Sequence, residues 1–93
     1  MKYDSIVKYP ESKILKCGRI LLKPGEEVGE HVTDKKEEVI IVLKGSGVLI
    51  KENSETEIGC GNAYFIEEGK KHNIKNASDN DLEYVFVVAT LKR

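Results

Sequence analysis

Residues 37–47 read EEVIIVLKGSG, five consecutive apolar residues followed by a serine between two glycines. The run is rich in β-branched side chains, which favour an extended backbone, and glycines commonly end a strand at a turn. The residues just before it include good helix formers, so a helix over 34–43 is the competing interpretation. The β-branched run favours a buried strand that enters a hairpin.

The same rhythm of short apolar segments and turn residues extends over the rest of the chain. Pro-Gly, Gly-Ser-Gly, Glu-Asn-Ser and Gly-Cys-Gly separate the segments, and residues 53–54 and 76–81 are predicted to be surface turns. No segment keeps a period of 3.6 residues. The predicted strands are 5–9, 13–23, 27–33, 37–44, 47–52, 63–66, 71–75 and 82–91. This pattern predicts an all-β sandwich or barrel, formed as a single domain over residues 1–93.

Composition narrows the functional classes. The 15 basic and 16 acidic side chains are interspersed and give a formal net charge of -1. The sequence therefore has no cluster of basic residues of the kind that nucleic-acid-binding proteins use. No apolar run reaches the roughly 20 residues of a membrane span, and no signal-peptide segment follows the N-terminus, so we expect a cytoplasmic protein without membrane contact. A charged fraction of 33%, rich in Lys and Glu, is typical of heat-adapted proteins and also occurs elsewhere.

The two cysteines, Cys17 and Cys60, are predicted to be free thiols because they form no CxxC pair and the expected compartment is reducing. Cys60 lies between two glycines and should be the more exposed. The apolar runs at 39–43 and 85–89 do not alternate strictly with polar residues, which predicts strands covered on both faces. A chain of this length buries little apolar surface, so pairing with a second copy would increase its stability. We therefore expect a homodimer.

Three side chains are candidate metal ligands: His31, Glu38 and His72. Imidazole and carboxylate together suit iron, manganese, nickel or zinc, and three protein ligands leave positions open for water, oxygen or a chelating ligand. The alternative is ordinary solvated or buried histidines and a carboxylate that faces solvent beside Glu37. Spacing alone does not separate these interpretations.

Two short motifs around these residues resemble those of the cupin family. The first consists of Gly25, five residues, His31, one residue, Thr33, four residues, Glu38, six residues and Gly45. The second consists of Gly61, five residues, Glu67, one residue, Gly69, two residues, His72, three residues and Asn76. The order and every spacing agree with the family pattern. The resemblance implies a double-stranded β-helix, or jelly roll, closed into a cupin barrel.

The resemblance also implies a divalent metal inside the barrel. Cupin metal sites use two histidines and a glutamate of the first motif and a histidine of the second, so His31, Glu38 and His72 correspond to three ligands. Thr33 replaces the fourth, a histidine, and its hydroxyl could instead hold a water there. Glu67 replaces a proline that stiffens the turn before His72, and its side chain is expected to face solvent.

Further residues are assigned by type. Thr33, Asn76 and Tyr84 are candidate cavity-lining or supporting residues, Asn76 chiefly through hydrogen bonds that hold a turn. Core packing is the favoured interpretation for the aromatic residues Tyr64, Phe65, Tyr84 and Phe86. Positive φ is expected at the turn glycines Gly25, Gly45, Gly61 and Gly69.

Three functional interpretations stay open. The first is a metal-dependent enzyme of the dioxygenase or isomerase type, in which the ion activates a small substrate. The second is a non-catalytic barrel with a degenerate metal site that binds a sugar or an organic acid. The third is a structural dimer that retains a vestige of the site. The sequence does not decide between an enzyme and a binding protein.

Overall fold

The computed structural model describes residues 1–91 as nine β-strands in two facing antiparallel sheets. The strands are β1 Lys2–Val7, β2 Leu15–Leu22, β3 His31–Val32, β4 Lys36–Lys44, β5 Ser46–Lys51, β6 Ser54–Gly59, β7 Ala63–Ile66, β8 Lys71–Lys75 and β9 Leu82–Thr90. Sheet A has the order β1-β2-β9-β4-β7, and sheet B has the order β3-β8-β5-β6. The predicted all-β jelly roll is confirmed. Within residues 1–91, no helix has the length and apolar character needed to cross a bilayer.

Residues 37–44 lie in β4, which pairs with β9 on one side and β7 on the other in sheet A. Glu38, Ile40 and Val42 are buried, whereas Ile41 and Leu43 are exposed, so the side chains alternate between the two faces. The expectation that this strand is covered on both faces is not met within the chain. β4 instead presents an apolar outer face.

The core lies between the sheets and is formed by the inward side chains of both. It comprises Ile20, Leu22, Ile40, Val42, Leu49, Ile58, Ile66, Ile74, Leu82, Tyr84 and Phe86. The prediction of core packing is wrong for Phe65, which is 49% exposed because alternation along β7 turns it outward when Ile66 is buried. Tyr64 is half-buried against the core and accepts a hydrogen bond from the Gly59 N–H at 3.0 Å.

Three strand predictions need correction. Residues 54–59 form β6, where the sequence predicted a turn at 53–54 and no strand. The strand was missed because most of its residues are polar and exposed, so the sequence shows no clear apolar alternation there. The predicted strand 27–33 is reduced to β3, since Gly29 has a φ of 109° and interrupts the extended backbone. β1 begins earlier than expected and pairs with β2 of the same chain.

The turn glycines behave as predicted. Gly25, Gly45, Gly61 and Gly69 all have positive φ, between 78° and 86°. Gly45 ends β4 where the chain also passes close to the carbonyl oxygen of Asp81, which leaves no room for a Cβ. Cys17 and Cys60 are free thiols, the first half-buried and the second exposed, as expected.

Candidate metal centre

His31 and His72 come together because β3 and β8 are paired in antiparallel register with these two residues directly opposite. Their ring centroids are 4.2 Å apart. Glu38 reaches the same point from β4 in the facing sheet, where its backbone neighbours are Ile66 and Val88. The structure therefore brings all three predicted ligands together, two from one sheet and one from the other.

The three side chains present one ligand atom each within 4.8 Å of one another. His72 Nε2 lies 3.5 Å from Glu38 Oε1, longer than the roughly 2.7–3.2 Å of an ordinary N–H···O hydrogen bond. Two ligands that each lie about 2.1 Å from one ion can be this far apart. The spacing of this pair thus fits a shared cation.

Both histidine rings are oriented by backbone carbonyls. His31 Nδ1 donates to the Gly29 carbonyl oxygen and His72 Nδ1 donates to that of Lys70, each at 2.9 Å. A carbonyl oxygen can only accept, so the hydrogen is on Nδ1 in both rings. Nε2 is then left as the ligating nitrogen of the neutral ring, the arrangement expected of histidines that bind a metal.

The environment of His72 favours positive charge. Burial on its own would lower the pKa of His72, but the Glu38 carboxylate and the Lys70 carbonyl both stabilise the protonated ring, and the net effect raises its pKa above the ordinary 6.5. His72 is 1% exposed and Glu38 is 8% exposed. Among residues 1–91, His72 Nε2 is the buried side-chain nitrogen or oxygen without a hydrogen-bond partner. A divalent cation that replaces the Nε2 proton would satisfy that nitrogen and keep a positive charge beside Glu38.

The three candidate ligands line a cavity of about 310 Å³. Thr33 and Tyr84 also line it, together with Lys16 and Lys36. Neither lysine forms an ion pair with another residue in the described part of the chain. Burial raises the pKa of Tyr84 well above its usual value, and the negative charge of Glu38 adds a smaller effect in the same direction. Its hydroxyl is therefore neutral and unsuited to act as a base.

Asn76 lies outside this cavity, so the structure does not place it as a cavity-lining residue. Its Nδ2 donates to the carbonyl oxygens of Leu22 and Asn80, and its Oδ1 accepts from the backbone N–H and the hydroxyl of Ser78. It holds the 76–81 turn. Glu67 also stays out of the cavity, because it pairs with Lys51 at the surface at 2.9 Å. The Lys51 hydrogen bond lowers the pKa of Glu67.

One supporting residue was not predicted. Asn73 is buried, and its Oδ1 accepts a hydrogen bond from the Gly29 N–H at 2.9 Å while its Nδ2 donates to Glu27 at 3.1 Å. The carbonyl of the same Gly29 accepts from His31, so Asn73 anchors the backbone that orients this candidate ligand. Nothing in the sequence indicated this role, because the contact depends on how the 23–30 segment lies over β8.

Residues 18–88 match the family model described as "Cupin domain", and the chain belongs to this family. An oxalate-binding protein of Thermotoga maritima is 33% identical over 73 residues, which cover 78% of this chain and 60% of that protein. The tetracenomycin polyketide synthase protein TcmJ of Streptomyces glaucescens is 30% identical over 74 residues, which cover 80% of this chain and 50% of that protein. The chain thus spans about half to three fifths of the length of these curated relatives.

Solved structures agree with this assignment. The crystal structure of a predicted oxalate decarboxylase from Thermotoga maritima superposes with a TM-score of 0.78 at 32% identity. The match covers 82% of this chain and 66% of that one. The chain therefore shares the cupin fold.

Proposed function

We propose that this cupin binds a divalent transition metal through His31, Glu38 and His72, and that the metal in turn binds a small organic acid in the cavity. The observation that carries the first part is the buried Nε2 of His72, which makes no hydrogen bond and lies 3.5 Å from the buried carboxylate of Glu38. A carboxylate and a polar nitrogen are costly to bury without a compensating partner, and a cation compensates both. Iron, manganese, nickel and zinc all suit this ligand set.

The class of small molecule that would bind follows from the open coordination positions of the ion and from two lysines of the cavity. Three protein ligands leave coordination positions for a bidentate anion. Lys16 and Lys36 add two positive charges to the lining, and neither forms an ion pair with a carboxylate within residues 1–91. An organic acid with two close oxygens would satisfy both the ion and the lysines. The oxalate-binding relative supports this ligand class, and a neutral sugar would leave the lysine charges unpaired.

Binding accounts for the site better than catalysis does. Glu38 is the sole carboxylate among the described residues that line the cavity, and in this proposal it is occupied by the metal. Tyr84 stays protonated, so the lining offers no obvious general base. A bound metal would supply Lewis acidity, and the protein side chains would orient and neutralise the anion.

The first experiment compares the metal content of untagged wild-type protein, purified without exposure to chelator, with that of His72→Ala prepared identically. We expect close to one ion per chain in the wild type and little in the variant. Wild-type protein that stays free of metal after incubation with iron, manganese, nickel and zinc would refute the metal site.

The second experiment titrates oxalate into metal-loaded and metal-free protein by calorimetry, with glucose as a neutral comparison. Oxalate should bind only to the loaded form, and Lys16→Ala combined with Lys36→Ala should weaken binding by roughly tenfold. Equal binding to the metal-free form would contradict coordination of the acid by the ion. Release of a product that depends on the metal would identify an enzyme instead.

A further inference from the structure

The wall that sheet A contributes to the cavity changes from charged to apolar along the strands. One row of cross-strand neighbours joins Lys16, Val88 and Glu38, and it carries two of the charged groups of the lining. The next row towards the core places Gly18 opposite Phe86. Side chains two residues apart on a strand point to the same face, so both rows face the inside of the barrel. An aromatic ring thus follows directly after the charged row.

The wall of sheet B changes in the same direction. His72 and Ile74 are two residues apart on β8, and both line the cavity. The carbonyl of Ile74 accepts a hydrogen bond from the Val28 N–H at 3.0 Å, which brings a second apolar residue to this part of the lining. Ile74 belongs to the same core cluster as Ile20 and Phe86 of sheet A, and Val28 packs against that cluster. The apolar parts of the two walls therefore meet.

An aromatic pair forms one side of this apolar part. The Phe86 ring lies over Gly18 in the interior of β2, where a Cβ would come within 2.8 Å of two ring carbons. Interior glycines weaken a strand and often mark a close approach of another group, which here is the ring. The Tyr3 ring lies 5.7 Å from that of Phe86 and is 43% exposed, so one of its faces is free for a ligand. We define the apolar compartment as Tyr3, Ile20, Val28, Ile74 and Phe86, all of which line the cavity.

The size of the cavity exceeds what a small acid needs. Its volume of about 310 Å³ reaches the lower end of the roughly 300–1,000 Å³ of sites that hold drug-sized molecules. Oxalate at the metal centre would fill only the charged end and would leave water against the apolar compartment. An apolar group on the acid would displace that water, which is favourable because apolar surface leaves contact with water on both molecules.

We propose that the acid bound by this cupin is a 2-oxo or 2-hydroxy acid with an apolar side chain about as large as an isobutyl or benzyl group. The inference rests on the proposed function, in which the ion and the lysines hold the head group. The carboxylate and the neighbouring oxygen of such an acid form the bidentate pair that the ion requires. The side chain then extends into the apolar compartment, between the rings of Tyr3 and Phe86 on one sheet and Ile74 on the other.

The test compares acids that share one head group and differ in the side chain. Calorimetry on the zinc-loaded protein measures the binding of pyruvate, 2-oxobutanoate, 4-methyl-2-oxopentanoate and phenylpyruvate, with oxalate as the reference for the head group alone. We expect the affinity to rise roughly fourfold for each carbon added to the aliphatic chain, and phenylpyruvate to bind much more tightly than pyruvate. An affinity that stays level or falls along the series, while oxalate and pyruvate still bind, would overturn this inference and retain the proposed function.

Two variants locate the effect. Tyr3→Ala removes one ring from an edge strand, and Gly18→Ala places a Cβ where the Phe86 ring now lies. Each should weaken the binding of phenylpyruvate severalfold and change that of pyruvate little. Phe65→Ala, which removes a half-exposed aromatic ring outside the cavity, is the matched control and should have no effect. Circular dichroism and the zinc content check that every variant is folded and loaded, and equal losses for both acids would contradict the compartment.

Nuclear magnetic resonance of the zinc-loaded protein gives a readout that is independent of affinity. The ring protons of phenylpyruvate should show nuclear Overhauser effects to the methyl groups of Val28 and Ile74. Contacts elsewhere on the protein alone would overturn the inference. The same contacts in metal-free protein, at unchanged affinity, would retain the compartment and refute coordination of the acid by the ion. The two proposals therefore fail in different ways.

Discussion

His31 and His72 are direct cross-strand partners, yet the first is exposed and the second is 1% exposed. One ring is held at the edge of sheet B by a two-residue strand, and the other is fixed in the interior beside Glu38. The buried pair would therefore define the position of the ion, and His31 would close it from the solvent side.

Thr33→His should strengthen metal binding. Thr33 lines the cavity two residues after His31, on the same face, and it stands where the family pattern has a further histidine ligand. An added imidazole should raise the affinity by roughly tenfold or more. Competition with a chromophoric chelator measures the change. Thr33→Val, which removes the hydroxyl without adding a ligand, is the control and should not gain affinity.

Asn73→Ala should weaken metal binding without removing any ligand. Loss of the Asn73 side chain frees the Gly29 N–H, and the carbonyl that orients His31 is then less well fixed. We expect an affinity roughly tenfold lower and an altered absorption spectrum of the cobalt-substituted protein. The matched control is Lys71→Ala, a neighbour of His72 whose side chain makes a 3.9 Å ion pair at the surface. An unchanged cobalt spectrum in Asn73→Ala would contradict the orienting role.

Tyr84 should make the protein sensitive to alkali. Burial keeps its proton in the folded state, whereas the unfolded chain releases it near pH 10, so the unfolded state binds fewer protons above that pH. Stability is unaffected by this group below about pH 10 and falls above it by up to about 1.4 kcal/mol per pH unit. Denaturant unfolding from neutral pH to about pH 11 measures the loss. Tyr84→Phe should flatten this decline, and equal slopes for the two proteins would refute the assignment.

Gly45→Ala should destabilise the fold more than other glycine replacements. Gly45 has a φ of 81°, and a Cβ there would meet the carbonyl of Asp81. We expect a loss of at least about 2 kcal/mol in the free energy of unfolding. Gly25→Ala shares the positive φ but has open space, and should lose about 1 kcal/mol. Gly59→Ala has neither feature and should be near neutral.

The strand at 39–43, the turn glycines and the grouping of the three candidate ligands were predictable because local conformation and motif spacing determine them. Other features depend on contacts between segments that are far apart in the sequence, which local patterns do not show. Phe65 could not be assigned a face, since its strand is only four residues long and apolar on both sides. β6 was missed because Glu55 and Glu57 on its solvent side resemble a loop. Asn73 gained its role only once the 23–30 segment lay over β8.

The short strand β3 has a consequence for how this barrel can change. Its two residues lie at the edge of sheet B and contribute nothing to the core cluster, whereas Glu38 and His72 lie on strands that carry core residues, Ile40 and Val42 on β4 and Ile74 on β8. Substitutions at the exposed positions 31 and 32 should therefore cost little folding stability. If such a barrel adapted to a new ion or ligand, we would expect the first substitutions at this edge. A residue of β3 can change there while the two sheets and their core stay the same.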